Sequence, residues 1–390
     1  MSETSSLPTA IDLFSGVGGM ALGFRQAGFD VPLGVDNSTR ALQCHDANFP
    51  DSRTLTADVS DLSGTAIRAA LGWRKNDRPD VVFGGPPCQG FSIGGVRDPL
   101  DGRNNLILQF ARLVVELRPK YFVMENVAGI LEGRFAPQLD AFSQAVQAGG
   151  YSLTAPFQVL NAADFGVPQR RKRVFFLGTE TGRPAAQYPT VTLPRTSVWN
   201  AIRDLAEPFE RCRREGVDVF DGRLGPASHY ALIMRGEIRD PLDRWPLEPK
   251  RPSPLTGFAA TAHSAATEKR FSSLAPGEAD TVSRFIRLQK DGVSSTLRAG
   301  TGKDRGRYMA PRPIHPVSPR CVCLREAARL HSYPDWFKFD DTKWHGFMQI
   351  GNSVPPRLAR SVASSVREAL LSSQRSEPPR RQNSRVAVME

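Results

Sequence analysis

Cys88 lies in the run Gly84-Gly-Pro-Pro-Cys-Gln-Gly-Phe-Ser92, directly after the apolar stretch Asp80-Val-Val-Phe83. Two prolines fix the backbone ahead of the thiol, and the glycines permit close approach of a flat substrate. A lone cysteine is usually buried filler, but these neighbours pack poorly, so the thiol reads as reactive. Glu125-Asn126-Val127 closes the next apolar run, Tyr121-Phe-Val-Met124, and places a carboxylate where an acid beside a nucleophile is useful. A surface position is the alternative for Glu125. Gln169, Arg171 and Arg173 alternate into the run ending at Leu177, so in extended chain all three face one way. For these the alternative is a solvated edge.

A second chemical feature sits near the start. Ile11–Phe14 runs into Ser15-Gly-Val-Gly-Gly-Met-Ala21 and then a helical pattern, and Asp36 follows Gly16 by twenty positions. Glycines at a strand-to-helix turn admit a ligand to the backbone, and an acidic residue closing the second strand can accept ribose hydroxyls. Gly16, Gly18 and Ala21 also satisfy G-x-G-x-x-A. On this feature alone the ligand is any adenosine-containing cofactor, and a nicotinamide oxidoreductase or a ligand-free tight turn stays open.

Elements must hold these residues. Ala10–Phe14, Val31–Val35, Asp80–Phe83, Tyr121–Met124 and Arg173–Leu177 predict buried strands. Gly19–Gln26, Thr39–Asn48, Asn105–Leu117 and Pro137–Ala148 predict helices between them. The alternation implies an α/β fold with a doubly wound, mainly parallel sheet. Past Tyr188 Pro, Gly and Arg become frequent, and helical patterning returns at Leu324–Leu330 and Arg357–Leu371. The expected organisation is a catalytic part over 1–189, an inserted smaller recognition domain over 190–320, a connecting segment over 321–348, a returning catalytic part over 349–371 and a disordered tail over 372–390.

The 390 residues carry a net charge of +11, which suggests a polyanionic partner. Nine Lys or Arg stand against two Asp between Thr281 and Arg320. Five cysteines form no disulfide framework, and Cys321 and Cys323 read as small residues of a buried strand, so no metal site is expected. No apolar run is long enough to span a membrane, and the opening residues lack a signal-peptide pattern. A cytoplasmic protein is expected.

Together these residues resemble the cytosine-5 DNA methyltransferases of bacterial restriction-modification type. The resemblance rests on an ordered set: Asp12-Leu-Phe-Ser-Gly-Val-Gly-Gly19, Asp36, Asp58, Pro86-Pro-Cys-Gln89, Glu125-Asn-Val127, Gln169-x-Arg-x-Arg173, Arg325-Glu-Ala-Ala-Arg329 with Tyr333-Pro334, and Gly351-Asn-Ser-Val354. It implies an S-adenosylmethionine-dependent methyltransferase fold with Cys88 as nucleophile, Glu125 at the cytosine N3, and Arg171 and Arg173 on the ring oxygen and on Glu125. It assigns Phe14, Gly16, Gly18, Asp36, Asp58, Pro87, Leu106, Asn352, Ser353 and Val354 to the cofactor. Double-stranded DNA is the implied partner, with base flipping, a mobile loop containing Ser92 and Arg97, and a monomer acting apart from any cognate endonuclease. Thr296 and Leu297 match a pair that relatives keep, and Arg298, Lys303, Arg305 and Arg307 become candidate DNA contacts. One branch of this family methylates tRNA, which is the competing reading. A DNA-binding protein with a degenerate catalytic domain would require losses among Cys88, Glu125 and Arg173, and none is lost.

Overall fold

The computed structural model describes residues 7–87, 106–190, 193–245, 254–301 and 312–376. Strands β1 (Thr9–Leu13), β2 (Asp30–Asp36), β3 (Arg53–Thr56), β4 (Val81–Gly84) and β5 (Tyr121–Val127) form a parallel sheet in the order β3-β2-β1-β4-β5. Helices α1 (Gly19–Gln26), α2 (Thr39–Asn48), α3 (Gly64–Leu71), α4 (Leu106–Leu117) and α5 (Ala136–Ala148) alternate with them. Beyond β5 come β6 (Tyr151–Leu153), β7 (Gln158–Asn161) and β8 (Lys172–Glu180); β8 runs antiparallel to β5 and carries β6 and β7 on its other edge.

Side-chain alternation divides the apolar residues between two cores. Tyr121, Val123, Phe175 and Leu177 face one layer, which α1 and the C-terminal helix share; Phe122, Met124, Val174 and Phe176 face the layer of α3, α4 and α5. Each fully buried Phe contributes roughly 1.5–3 kcal/mol from removal of its surface from water. Ser38 and Ser63 start α2 and α3 by accepting the Ala41 and Ala66 amides.

Later elements return to this frame. Helices α6 (Val198–Ile202), α7 (Ala206–Glu215), α8 (His229–Met234) and α9 (Ala265–Ser273) and the short pair β9 (Val219–Phe220) and β10 (Leu255–Thr256) precede α10 (Leu324–Leu330), α11 (Lys343–Asn352) and α12 (Pro356–Ser376). The expected recognition domain is not separately cored throughout. Val198, Ala201, Ile202, Tyr230, Met234, Leu288 and Leu297 join the main core, while Leu205, Phe209, Cys212, Phe220, Leu255 and Phe258 pack a smaller one with Cys323. Arg329 locks α10 to this region, pairing with Asp335 at 2.5 Å and Asp204 at 3.2 Å, and Arg235 reaches the same Asp204 at 2.7 Å.

Helix α12 lies along α1 because two glycines remove the side chains between them. A Cβ at Gly23 would stand 2.5 Å from that of Ala359, and one at Gly19 would stand 2.7 Å from the Val354 carbonyl oxygen. Two expectations change here. α12 continues to Ser376, so the tail expected from 372 begins as helix, and residues 377–390 lie outside the described residues. Cys321 and Cys323 are buried as expected, but Cys323 caps α10 instead of sitting in a strand.

Candidate active site

The order in which parallel strands are added reverses between β1 and β4, so their C-terminal ends flank the crevice where open α/β sheets bind ligands. Leu13 pairs with Gly84 across this boundary. The glycine turn after β1 and the Pro-Pro segment after β4 therefore leave the sheet side by side.

On the β1 side Phe14 has φ 62° and Gly16 φ 53°, and nothing lies within 4 Å of a Cβ built on Gly16. The Gly16 N–H donates to Oδ2 of Asp36 at 2.8 Å, and the Ser38 N–H donates to Oδ1 at 2.8 Å. Burial raises the Asp36 carboxyl pKa, opposed by backbone N–H donors from Ser38, Gly16 and Asn37. The Ala57 N–H donates to the Asp36 carbonyl, which brings Asp58 alongside; Asp58 is exposed and accepts the Ser60 N–H. Beneath the turn, Oδ2 of Asp12 and Oγ of Ser15 are buried without a hydrogen-bond partner among the described residues. An open cradle, an anchored carboxylate and orphaned polar atoms fit an adenosine-bearing ligand.

On the β4 side Glu125 lies at the end of β5 with its carboxylate oxygen Oε1 2.8 Å from Nε of Arg173. Arg173 reaches it diagonally across the ladder, since Arg173 pairs with Val127. Burial raises the Glu125 pKa, against the opposing pull of Arg173 and Arg171. A buried carboxyl whose proton is held more tightly than usual is suited to give a proton or hydrogen bond to a ring nitrogen. Asn126 adds a function that its residue type alone did not signal: its Nδ2 donates to the Pro86 carbonyl at 3.4 Å, and its Oδ1 accepts the Val127 N–H at 2.8 Å. It thereby ties the Pro-Pro segment to β5. Pro87 is exposed, and Leu106 is half-buried at the start of α4. Cys88, Ser92 and Arg97 lie outside the described residues, as do Lys303, Arg305 and Arg307.

The model of the C-5 cytosine-specific DNA methylase family matches residues 9–368. The chain belongs to that family. As an enzyme it is a cytosine-5 DNA methyltransferase. It is 47% identical over 366 residues to the type II methyltransferase M.XorII of Xanthomonas oryzae pv. oryzae, covering 93% of this chain and 85% of that one. It is 31% identical to the type II methyltransferase M.DdeI of Desulfomicrobium norvegicum, covering 91% and 88%. A crystal structure from an E. coli prophage, described as a DNA modification methyltransferase, superposes with a TM-score of 0.75 at 32% identity, covering 93% of this chain and 99% of that one. Among the described residues no helix is long and apolar enough to cross a membrane, and no cluster of metal-ligating side chains forms.

Of Gln169, Arg171 and Arg173 in this methyltransferase, Arg173 makes the ion pair with Glu125, and Arg171 lies near enough to lower the pKa of the same carboxyl. Arg171 is buried and donates to the carbonyls of Leu297 at 3.0 Å and Gly351 at 2.8 Å. Gln169 accepts the Leu297 N–H at 3.1 Å and donates towards Leu330 and His331. Of the pair expected at DNA, Leu297 is buried, while Thr296 is half-buried, donates its hydroxyl to the Arg170 carbonyl at 2.7 Å and lines the cleft around Arg298. Gly18 faces protein, since a Cβ there would stand 2.4 Å from Cε2 of Phe49.

The returning segment does meet the glycine turn. Ser353 and Val354 abut Gly19, Val354 is buried, and Asn352 is exposed beside them. Gly351 itself is required by contact, because a Cβ would stand 2.2 Å from the Ala299 nitrogen. Around Arg298 a cleft of about 530 Å³ is lined by Arg170, Arg284, Arg287, Arg298 and Arg312. Arg287 and Arg312 are held by protein groups, the former by the Leu274 carbonyl and the latter by the Thr261 hydroxyl. Arg170, Arg284 and Arg298 are exposed.

Proposed function

We propose that the chain methylates C5 of a cytosine flipped out of duplex DNA, through a covalent bond from Cys88 to C6, with S-adenosylmethionine as donor. The observation that carries this reading is the buried Glu125 carboxyl, paired with Arg173 and with its pKa raised by burial, beside the Pro86 segment that leads into Cys88.

Cytosine C5 is a weak nucleophile. Addition of the Cys88 thiolate to C6 breaks the C5–C6 double bond and places an electron pair on C5, while Glu125 supplies a proton to N3 to balance the charge. Arg173 keeps the Glu125 carboxyl oriented. S-adenosylmethionine, when bound, would supply the electrophilic methyl group to C5, its S–CH3 bond breaking with the electron pair kept on sulfur so that a neutral thioether leaves. Loss of the C5 proton to a base then re-forms the double bond and expels the Cys88 thiolate, and N3 returns its proton to Glu125. Asp36 would accept the ribose hydroxyls, with Asp58 at the adenine amine and Phe14, Gly16, Pro87, Leu106, Asn352, Ser353 and Val354 around them.

Because C5 is buried in stacked duplex, flipping costs a few kcal/mol that contacts to the DNA must offset. The basic cleft supports Arg170, Arg284 and Arg298 as phosphate or guanine contacts. Charge and cleft favour duplex DNA as the substrate; in this reading a monomer acts on it independently of any cognate endonuclease. Bisulfite sequencing of DNA from a host expressing the chain tests the reading. A fixed sequence context protected at cytosine is expected; no protected cytosine would overturn it.

A further inference from the structure

His331 follows α10 and is fully buried between three segments distant in sequence. Its hydrogen bonds define which ring nitrogen carries the proton. Oε1 of Gln169 accepts the Leu297 N–H, so the Gln169 amide nitrogen is the group 2.9 Å from Nδ1 of His331, and it donates. Nδ1 is therefore the acceptor and Nε2 bears the hydrogen. Nε2 lies 3.1 Å from the Ser353 carbonyl oxygen and 3.2 Å from Oγ of Ser353, whose own hydroxyl donates to the Ile350 carbonyl. Burial holds the ring neutral, helped by the positive charges of Arg171 and Arg173 and opposed by the Ser353 carbonyl. The neutral ring keeps one donor and one acceptor in fixed places.

A directed chain follows: the Leu297 amide to Gln169, Gln169 to His331, His331 to Ser353. Ser353 is the residue whose Cβ stands 3.0 Å from the Cβ position of Gly19, at the mouth of the glycine turn. We propose that His331 is a positioning residue for methyl-donor binding, acting through the hydrogen bond from its Nε2 that fixes the Ser353–Val354 turn against Gly19. The inference rests on the reading of that turn as part of the cofactor pocket.

Three variants of the full chain test it, with S-adenosylmethionine affinity read by calorimetry and thermal unfolding read in parallel. His331→Asn keeps an acceptor near Nδ1 but cannot reach Ser353, and its donor dissociation constant should rise about three- to tenfold, the size of one neutral hydrogen bond. His331→Gln carries acceptor and donor about as far apart as the two ring nitrogens and should restore affinity to within about twofold of the wild type. With saturating donor, kcat of His331→Asn should stay near the wild-type value while KM for the donor rises. Asp36→Ala separates the two readings: if it leaves donor binding intact, the pocket itself is misassigned. If Asp36→Ala weakens binding while His331→Asn does not, or while His331→Asn and His331→Gln weaken it equally, the role of His331 is overturned.

Discussion

A Cβ placed on Gly85 would stand 2.9 Å from Oε2 of Glu125. The carboxylate thus occupies space that any other residue at position 85 would fill, and its Oε1 is committed to Arg173 on the far side. Gly85→Ala must push Glu125 off its ion pair or shift the segment that leads to Cys88. A misplacement of about 1 Å in an active site costs about a hundredfold in rate, which sets the upper bound on the loss here. Single-turnover methylation should show that loss with S-adenosylmethionine affinity unchanged; a wild-type rate would mean that the Glu125 position is not critical.

Glu125 also sets a pH dependence. Its pKa is raised, chiefly by burial, so the proton needed at N3 is present at low pH and lost as pH climbs through the raised value. The wild-type rate should fall along that limb. Glu125→Gln donates a hydrogen bond but no proton, so it should lose the limb and run about 10²–10⁴-fold slower. Stability follows the same sign. A carboxyl with its folded pKa above its unfolded pKa favours the fold below the unfolded value, and that contribution is lost as pH rises through the folded one. The Gln variant should therefore gain stability relative to wild type as pH rises. Urea unfolding across pH checks this, and a constant difference would contradict the raised pKa.

Arg171 and Arg173 should separate in their effects. Arg171→Met strands the buried carbonyls of Leu297 and Gly351, at a cost of about 2–5 kcal/mol for two unsatisfied acceptors. Arg173→Met removes the partner of Glu125 and should act mainly on the methylation rate. Denaturant unfolding and single-turnover rates on both variants test the division, and equal stability losses would refute it.

Recognition should map to the three exposed arginines. Arg170→Ala, Arg284→Ala and Arg298→Ala should each either relax the methylated sequence or weaken binding to all sequences with a shallower salt dependence. A guanine contact is worth about 1–3 kcal/mol of discrimination. If all three keep wild-type affinity and sequence choice, the cleft does not touch DNA.

Elements around the site that carry a strong local pattern were legible. Gly19–Gln26, Thr39–Asn48 and Leu324–Leu330 begin and end where caps and periodicity put them. The short strands β3, β6 and β7 were not, having mixed or exposed burial. α11 was hidden by Gly346 and Gly351, poor helix residues retained because side chains there would strike Leu324 and the backbone at 298–299. The placement of Glu125 and Asp36 at strand ends was legible because the apolar runs before them are local patterns. The packing partners of Arg171, Gln169 and Leu297 were not legible because they lie more than a hundred residues away in sequence.

The central claim is the covalent role of Cys88, and trapping tests it most directly. Duplex DNA carrying 5-fluorocytosine at the target blocks loss of the C5 substituent, so the adduct cannot resolve. The wild-type chain with S-adenosylmethionine should form a denaturant-resistant protein–DNA species, with the cross-linked peptide containing Cys88. Cys88→Ala should bind the same DNA and form none. A stable adduct with the alanine variant would place the nucleophile elsewhere and contradict the account.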